Sequence, residues 1–459
     1  MITRLALLAP LALLFACESP ELDLKSCAPD CDTGGQTTPT EDTGAPDTST
    51  SPVDSSTDSA PTDSGEPADS ADSAVEEEEE EDEDESDWDA EDDASWLFSD
   101  DTVHQINITL GSTAAASLGS EPYEYVEGDI EIDGVAVPSV GVRLKGKYGS
   151  YRTMAQKAAF KIDFNRYVEG QEFSGLKKLN LNNMAVDCSM LKEHMAYKIM
   201  RDVGLAAERT GYAWVTVDGH DFGLYNVLEQ PNKEMLKRFY DHAKGNLYDG
   251  KYILYEDWSY TLLDFTRSVY GLYGLEEGED VENADLLNVV LALGEHGGTD
   301  GFYEALGEYV DWDTLLLYWA AEQWVGQIDG YVTNRNNYYV YFDADDGKME
   351  MIPWDLDYSF LEDSAWGMSW KSPSGVLARA CQADDTCMEA WKDALRTVIS
   401  RIDEDAYVAD LEAWTALIED YISEDPRMEC TEASVAPAQR AMRTWVKNRS
   451  EGLTTYWNL

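Results

Sequence analysis

The stretch from Asp329 to Phe360, DGYVTNRNNYYVYFDADDGKMEMIPWDLDYSF, gathers carboxylates and carboxamides around a short hairpin. Its two strand-like runs flank the turn DADDGK at 343–348, which lacks the downstream Glu of a calcium loop, so we predict a plain hairpin turn. Asp355 and Asp357 follow the second run, two residues apart. In an extended chain they face the same side, where two carboxylates suit one divalent cation.

The pattern of apolar and polar residues differs before and after this hairpin. Upstream it alternates in short strand-like runs, and Asp-Gly pairs at 133–134 and 218–219 indicate hairpin turns. One helix is predicted from Ser189 to Val203, with Asp187 or Ser189 as its N-cap. After about residue 283 apolar residues recur at helical spacing. The pattern predicts an α+β fold with a β-rich half at about 99–245, a mainly helical half at about 246–459, and a cleft between the two lobes.

Charge limits the partners of the chain. It has 91 Asp plus Glu against 33 Lys plus Arg and a formal net charge of -58, which excludes nucleic acid as the natural partner.

Residues 18–98 are mainly Ser, Thr, Asp, Pro and Glu and predict a disordered acidic tether, since they cannot bury enough apolar surface to offset the entropy of ordering. The oligomeric state is not determined by the sequence.

The N-terminal residues 1–17, MITRLALLAPLALLFAC, combine Arg4, a short apolar run and Cys17. They resemble a bacterial lipoprotein signal, which implies cleavage before Cys17 and a lipid on that cysteine. We therefore expect an exported protein anchored by lipid in a bacterial membrane, with a conventional secretory signal or an uncleaved anchor as the alternatives.

Export also bears on the cysteines, because disulfides persist outside the cytosol. Cys27 and Cys31 are expected to pair, and Cys381 with Cys387 is a plausible local disulfide. Cys188 and Cys430 either pair over a long distance or remain free.

The order of polar residues around the hairpin matches one kind of chemistry. In kinase-type phosphoryl transfer, an Asp that positions a hydroxyl precedes an Asn that binds metal, and a metal-binding Asp follows the next hairpin. Asp329 is the candidate for the first role, and Asp355, with Asp357 near it, for the last. Asn334 keeps the kinase spacing of Asp-x4-Asn, whereas Asn337 directly precedes the strand, and we slightly favour Asn337.

The same chemistry needs a strand lysine that binds phosphate and pairs with a helical Glu. Lys157 and Lys161 in QKAAFKIDF are the lysine candidates, and Glu193 in the predicted helix is the Glu candidate. The remaining candidates for nucleotide contact are Arg143, Gly146 and Gly149 in VRLKGKYGSYR, together with Glu229 in FGLYNVLEQ.

These runs, in this order over most of residues 135–365, resemble the CotH family of spore-coat-protein-H-type atypical kinases. The resemblance implies a divergent protein-kinase-like fold, use of ATP with Mg²⁺ or Mn²⁺, and phosphorylation of Ser or Thr on a protein acceptor. It makes Asp329 the catalytic Asp and Asp355 the metal-binding Asp. Two alternatives stay open: a non-catalytic surface-displayed binding module on a kinase-like scaffold, and a metal-dependent hydrolase, which the low count of five His disfavours.

Overall fold

The computed structural model describes residues 94–255, 257 and 259–459, and these form a mixed α+β structure. The expected signal, the tether over residues 18–93 and the pair Cys27–Cys31 lie outside the described residues. Residues 94–98, which the sequence assigned to the tether, instead form a 3₁₀ turn, Ala94–Phe98. The reason is burial, since Ala94 and Leu97 have no exposed surface and belong to the same apolar core as the strands that follow.

Among the described residues, seven strands close into a barrel in the order β1-β2-β3-β4-β5-β7-β6. The strands are β1 (Val103–Thr109), β2 (Val126–Ile132), β3 (Val135–Lys145), β4 (Ala159–Asp163), β5 (Lys178–Asn182), β6 (Thr210–Val217) and β7 (His220–Glu229). β1 pairs in parallel with β6, and the other neighbours pair antiparallel. The Asp-Gly pairs at 133–134 and 218–219 have positive φ at both residues and connect β2 to β3 and β6 to β7, which confirms the predicted turns.

The alternation of side chains along these strands gives the barrel an apolar interior and a polar outer face. In β3, Val142 and Leu144 belong to the interior core, so Arg143 and Lys145 face outward. The register pairs Arg143 with Lys161 of β4, which therefore lies on the same outer face.

The helices lie mainly in the second half of the chain. They are α1 (Gly111–Ser120), α2 (Lys192–Asp202), α3 (Lys233–Leu236), α4 (Ala284–His296), α5 (Phe302–Leu306), α6 (Trp312–Val325), α7 (Tyr331–Asn334), α8 (Val376–Ala383), α9 (Asp385–Arg401), α10 (Glu404–Glu424) and α11 (Glu432–Trp457). Within the described ranges, none of them is both long and apolar enough to cross a membrane.

Helix α2 begins three residues later than the sequence predicted, and its N-cap residue is Leu191 and neither Asp187 nor Ser189. The Asp187 carboxylate accepts the N–H groups of Leu191 at 2.9 Å and Lys192 at 2.8 Å. Because this side chain satisfies the first free donors of the helix, the turn at 187–191 stays outside it.

A second sheet follows the barrel in the order β11-β8-β12-β13. Its strands are β8 (Asn246–Asp249), β11 (Gly274–Glu277), β12 (Tyr338–Phe342) and β13 (Met349–Pro353), and a small separate ladder joins β9 (Ile253–Leu254) to β10 (Tyr260–Thr261). β12 and β13 pair antiparallel around residues 343–348, which confirms the predicted hairpin. Helix α6, buried along most of its length, packs beside β13 and ends at Val325, four residues before Asp329.

Two disulfides join the described cysteines. Cys381–Cys387 is the predicted local bond, with the two Cα atoms 5.1 Å apart. Cys188–Cys430 resolves the open alternative in favour of pairing, with the Cα atoms 5.5 Å apart. It ties the segment before α2 to the connection between α10 and α11.

Candidate functional site

Asp329 lies at the centre of a ring of carboxamides. Asn334 donates to one of its oxygens at 2.5 Å, and Asn337 and Asn336 donate to the other at 3.0 and 3.4 Å. Burial raises the pKa of Asp329 to about 6, and the neighbouring Asp355 acts in the same direction while the carboxamides oppose it. A carboxylate tuned in this way, and held in a fixed orientation, can accept the proton of a hydroxyl. Both asparagines that the sequence proposed as metal ligands therefore contact Asp329.

The loop that carries Asp329 rests on Glu322 of α6. The Glu322 carboxylate accepts the backbone N–H of Tyr331 at 3.0 Å and the hydroxyl of Tyr318 at 3.1 Å. Gly330 approaches so closely that a Cβ atom there would lie 1.7 Å from Glu322 Oε1. Burial raises the pKa of Glu322 to about 8. We did not single out Glu322 from the sequence, although a Glu inside the apolar run LLLYWAAEQWV signals a buried acid that needs partners.

Asp355 and Asp357 follow β13 in a tight turn and not in an extended chain. Asp355 has a left-handed backbone, with φ 49°, and the next three residues form a 3₁₀ turn. The expectation that both carboxylates project from one face of a strand is therefore wrong. The two carboxylates nevertheless interact: burial raises the pKa of Asp357 well above its usual range, and the charge of Asp355 is the next largest cause. Asn337 also donates to the backbone oxygen of Asp355, at 3.4 Å.

The cation that faces these acids is Lys145, at the end of β3. Its ammonium donates to Asn182 Oδ1, and the Asn182 amide donates to both oxygens of Glu193, at 2.7 and 2.8 Å. The same ammonium lies 5.2 Å from the ring centre of Trp354. Burial and Asp355 raise the pKa of Glu193 to about 7, and Lys145 opposes them. Lys145 and Asn182 thus join the helical Glu to the Asp355 turn, and we missed both from the sequence.

Lys157 does not make the predicted pair with Glu193. Its ammonium forms an ion pair with Asp425 at 2.6 Å, and both side chains are almost fully buried, with 3% and 2% exposed. Asp425 follows α10, far away in the sequence, so local pattern could not indicate this partner.

Lys161 does not contact Glu193 either. It lies across from Arg143 on the outer face of the barrel, and burial together with Arg143 and Lys178 lowers its pKa to about 7. Within the described part of the chain, its ammonium makes no hydrogen bond or ion pair, and its nearest opposing charges are Glu276 and Asp249. A half-buried cation of this kind on a polar face is suited to an anionic ligand.

The loop between β3 and β4 reaches from the barrel to the Asp355 turn. Gly146 and Gly149 both have positive φ, 91° and 86°, and a Cβ atom on Gly149 would lie 2.5 Å from the hydroxyl of Tyr358. Lys147 lies 4.5 Å from the ring centre of Tyr252, and Tyr148 stacks on that ring. Both glycines, which the sequence proposed for nucleotide contact, thus lie in this loop, and Gly149 approaches Tyr358 of the Asp355 turn.

Residues 425–430, which we call the clasp, hold this loop from outside. Besides the pair of Asp425 with Lys157, Arg427 donates to the backbone oxygen of Met154 at 2.9 Å, and Arg152 donates to Glu429 at 2.6 Å. The disulfide of Cys430 fixes the end of the clasp.

Glu229, predicted to contact nucleotide, has a different environment. Its carboxylate pairs with Arg209 at 2.9 Å and with Arg238, and it accepts the backbone N–H of Arg209 at 3.0 Å. With only 2% of its surface exposed, it stabilises the end of β7 and the start of the following segment.

The acidic residues supply the oxygen donors that Mg²⁺ and Mn²⁺ prefer, although the described residues contain no preformed cluster of three or more His, Cys, Asp or Glu with metal-binding geometry. The carboxylates of Asp355, Asp357 and Glu193 repel one another, with Lys145 as the opposing charge. A divalent cation bound by Asp355, Asp357 and an asparagine would neutralise this excess, so the residues present fit the metal.

Comparisons with known proteins agree on one family. The sequence model of the family described as CotH kinase protein matches residues 142–453. Inner spore coat protein H of Bacillus subtilis (strain 168) is 24% identical over 222 residues, which make up 47% of this chain and 58% of that relative. This chain therefore spans less than two thirds of the relative's length.

Two solved structures are also similar, at low identity and low TM-score. The crystal structure of the Helicobacter pylori proinflammatory kinase CtkA is 10% identical, covers 67% of this chain and 93% of its own, and gives a TM-score of 0.29. HipA from a Shewanella oneidensis MR-1 toxin–antitoxin complex with HipB and operator DNA is 11% identical, covers 60% and 57%, and gives 0.25.

Proposed function

This chain belongs to the CotH kinase protein family, and we propose that it is an exported atypical kinase with a two-lobed, kinase-like fold. It transfers the γ-phosphoryl group of ATP to Ser or Thr of a protein and depends on Mg²⁺ or Mn²⁺. The observation that carries this proposal is a set of opposite charges. The carboxylates of Asp329, Asp355 and Asp357 face the ammonium of Lys145, which is linked through Asn182 to Glu193 of α2. Such a site suits positioning and electrostatic catalysis of phosphoryl transfer.

Each residue has a separate task in this proposal. Asp329, held by its carboxamides, orients the acceptor hydroxyl and takes its proton. Asp355, Asp357 and Asn337, or Asn334 in its place, hold the metal, which when bound supplies positive charge against the phosphates of ATP. Lys145 contacts the phosphates from the barrel side.

The lysine of this site is displaced by comparison with ordinary protein kinases. Those enzymes place the phosphate-binding lysine on the strand that precedes the helix with the conserved Glu. Here that strand is β5, and its residue next to Glu193 is Asn182. Lys145 reaches the same Glu from β3 through this asparagine. Arg143 and Lys161 extend the cationic face, and Gly146 and Gly149 form the covering turn.

The proposal is tested by ATP binding and turnover of the full chain with Mg²⁺ or Mn²⁺, beside the Asp355→Ala variant. We expect metal-dependent turnover that disappears in the variant while its circular dichroism and melting temperature stay unchanged. Full activity in a folded Asp355→Ala variant would overturn the metal assignment. Absence of nucleotide binding by the folded wild type with either metal would favour the non-catalytic surface-displayed module.

A further inference from the structure

The outer face of the barrel carries cations on three neighbouring strands. Arg143 and Lys145 lie on β3, Lys161 lies on β4 and Lys178 lies on β5. Their neighbours along each strand belong to the interior core, so all four side chains are on the outer face. They continue from Lys145, at the end of β3, away from the loop between β3 and β4. We call these four residues the cationic track.

The track has no acidic partner among the described residues, where none of its members forms an ion pair. Arg143 donates to the backbone oxygen of Leu144 at 3.0 Å and lies 5.3 Å from the ring centre of Tyr125, and both partners are uncharged. Lys145 donates to an uncharged amide oxygen. In a chain with 91 acidic and 33 basic residues, adjacent cations without a carboxylate indicate a place for an external anion.

The acids near the track are mostly held by another lysine. Asp249 and Glu276 are the opposing charges that act on the β4 lysine of the track. Lys251 forms an ion pair with each of them, and its distance to Glu276 is 3.8 Å. Asp163 lies across from Lys178 in the register of β4 and β5 but forms no ion pair with it. The ion pairs of this region therefore leave the track open to an anionic ligand.

The track extends beyond the place proposed for the transferred phosphate. Lys145 faces the Asp355 turn, and Arg143 is two residues further along β3, which is about 7 Å at the rise of a strand. Lys161 lies beside Arg143 at the spacing of paired strands, about 5 Å. A ribose and a base carry no charge and gain from apolar and aromatic surroundings. Ammonium and guanidinium groups at these positions suit further phosphates instead.

We propose that the cationic track binds a linear chain of phosphates, so that inorganic polyphosphate is a phosphoryl donor at this site in addition to ATP. This inference rests on the proposed function and names a second class of donor for the same site. Polyphosphate repeats its negative charge along its length and has no base to accommodate. Because the net charge of -58 repels polyanions in general, binding depends on this local row of cations.

The transfer step is balanced. The hydroxyl oxygen of the acceptor forms a bond to the terminal phosphorus of the chain, while the bond from that phosphorus to the bridging oxygen breaks. The bridging oxygen keeps the electron pair, and the chain leaves one phosphate shorter. The hydroxyl proton passes to the Asp329 carboxylate, as it does with ATP.

The first test compares donors on the full chain with Mg²⁺ or Mn²⁺. Titration calorimetry measures the binding of ATP, inorganic tripolyphosphate and a longer linear polyphosphate. We expect affinity to rise with chain length and the longer polyphosphate to displace ATP. Turnover is measured as loss of the terminal phosphate, and we expect both ATP and polyphosphate to lose it in the wild type and neither to lose it in Asp355→Ala.

The second test removes one cation of the track with Lys161→Gln and uses Lys371→Gln as the matched control. Lys371 packs on Tyr456 and Trp457. Loss of a charged contact to phosphate predicts about 10-fold weaker binding of the longer polyphosphate by Lys161→Gln, with a smaller loss for inorganic pyrophosphate. Lys371→Gln should bind both like the wild type. The dependence on chain length separates a lost contact from a lost fold, because an unfolded variant would lose both ligands equally.

Different failures have different meanings. ATP turnover without shortening of polyphosphate overturns the second donor and leaves the proposed kinase function standing. Equal binding of the longer polyphosphate by the wild type and Lys161→Gln overturns the track as its site. Absence of ATP binding by the folded chain overturns the proposed function together with this inference.

Discussion

The two sides of the candidate site differ in sign and in how the chain builds them. The acidic side, Asp329 to Asp357, comes from one continuous stretch around a hairpin. The cationic side, with Arg143, Lys145 and Lys161, is assembled from neighbouring strands of the barrel.

On each side considered alone, buried charges of one sign are in excess. Burial and like charge raise the pKa of Asp329 to about 6 on the acidic side and lower the pKa of Lys161 to about 7 on the cationic side. A ligand that carries both signs, such as a polyphosphate with a divalent cation, would relieve both. We proposed such a ligand above, and the contrast in charge supports that proposal.

The largest expected effect comes from the acidic side. Asp329→Asn keeps the size and much of the hydrogen bonding of the side chain but removes the proton acceptor. We expect phosphoryl transfer to fall about 10²- to 10⁴-fold while ATP affinity changes little. Transfer rates and ATP binding, measured on the same preparation, separate these two effects. An equal loss of both would show that Asp329 holds the site together and does not act on the acceptor.

The next largest effect is on stability, and it distinguishes Lys157, a structural lysine, from the cations of the site. Lys157→Met leaves Asp425 charged and buried, so we expect the free energy of unfolding to fall by about 3–5 kcal/mol. Denaturant unfolding measures this change, and the double variant Lys157→Met with Asp425→Asn should recover part of it. Lys161→Met is the matched control, and since it removes a cation whose pKa is already lowered, it should not destabilise the fold. Equal destabilisation by both variants would contradict the distinction.

A smaller effect is expected at Lys145. Loss of a charged contact to phosphate costs about 1.5–3 kcal/mol, so Lys145→Met should weaken ATP binding about 10- to 100-fold, with an unchanged melting temperature. Titration calorimetry checks the affinity.

The displaced position of this lysine can be tested by moving it. The double variant Lys145→Asn with Asn182→Lys puts the cation on β5, next to Glu193. We expect it to bind ATP more tightly than Lys145→Met. No recovery would mean that the position on β3 itself is required.

The smallest expected effect is a pH dependence of the folding stability that comes from Glu322, which supports the Asp329 loop. Because the pKa of Glu322 is raised to about 8, the folded protein keeps a proton that the unfolded chain releases near pH 4.5. This group therefore contributes stability that is fully present below about pH 4.5 and is lost as the pH rises through 8. Glu322→Gln should match the wild type in melting temperature at pH 5 and exceed it at pH 8. The same difference at both pH values would rule out a titrating Glu322.

The structure also shows which parts of the chain were predictable. The hairpin at 338–353 and the Asp-Gly turns depend on neighbours within a few residues, so local pattern indicated them. The alternation in VGVRLKG already places Arg143 and Lys145 on one face. Which lysine meets Glu193 depends on how the strands close into a barrel, and the partner of Lys157 lies 268 residues away. Sequence pattern does not contain that information.

The disulfide Cys188–Cys430 has a mechanical consequence for a protein pulled by its ends. It closes a covalent ring over 242 residues, which includes Glu193, Asp329 and the whole Asp355 turn. Tension between the termini bypasses this ring, so on the order of 800 Å of contour length stays hidden while the disulfide is intact. The acidic side of the site lies inside the ring, whereas the strands that carry Lys145 and Lys161 lie in the path of the force. Stretching would therefore disrupt the cationic side first.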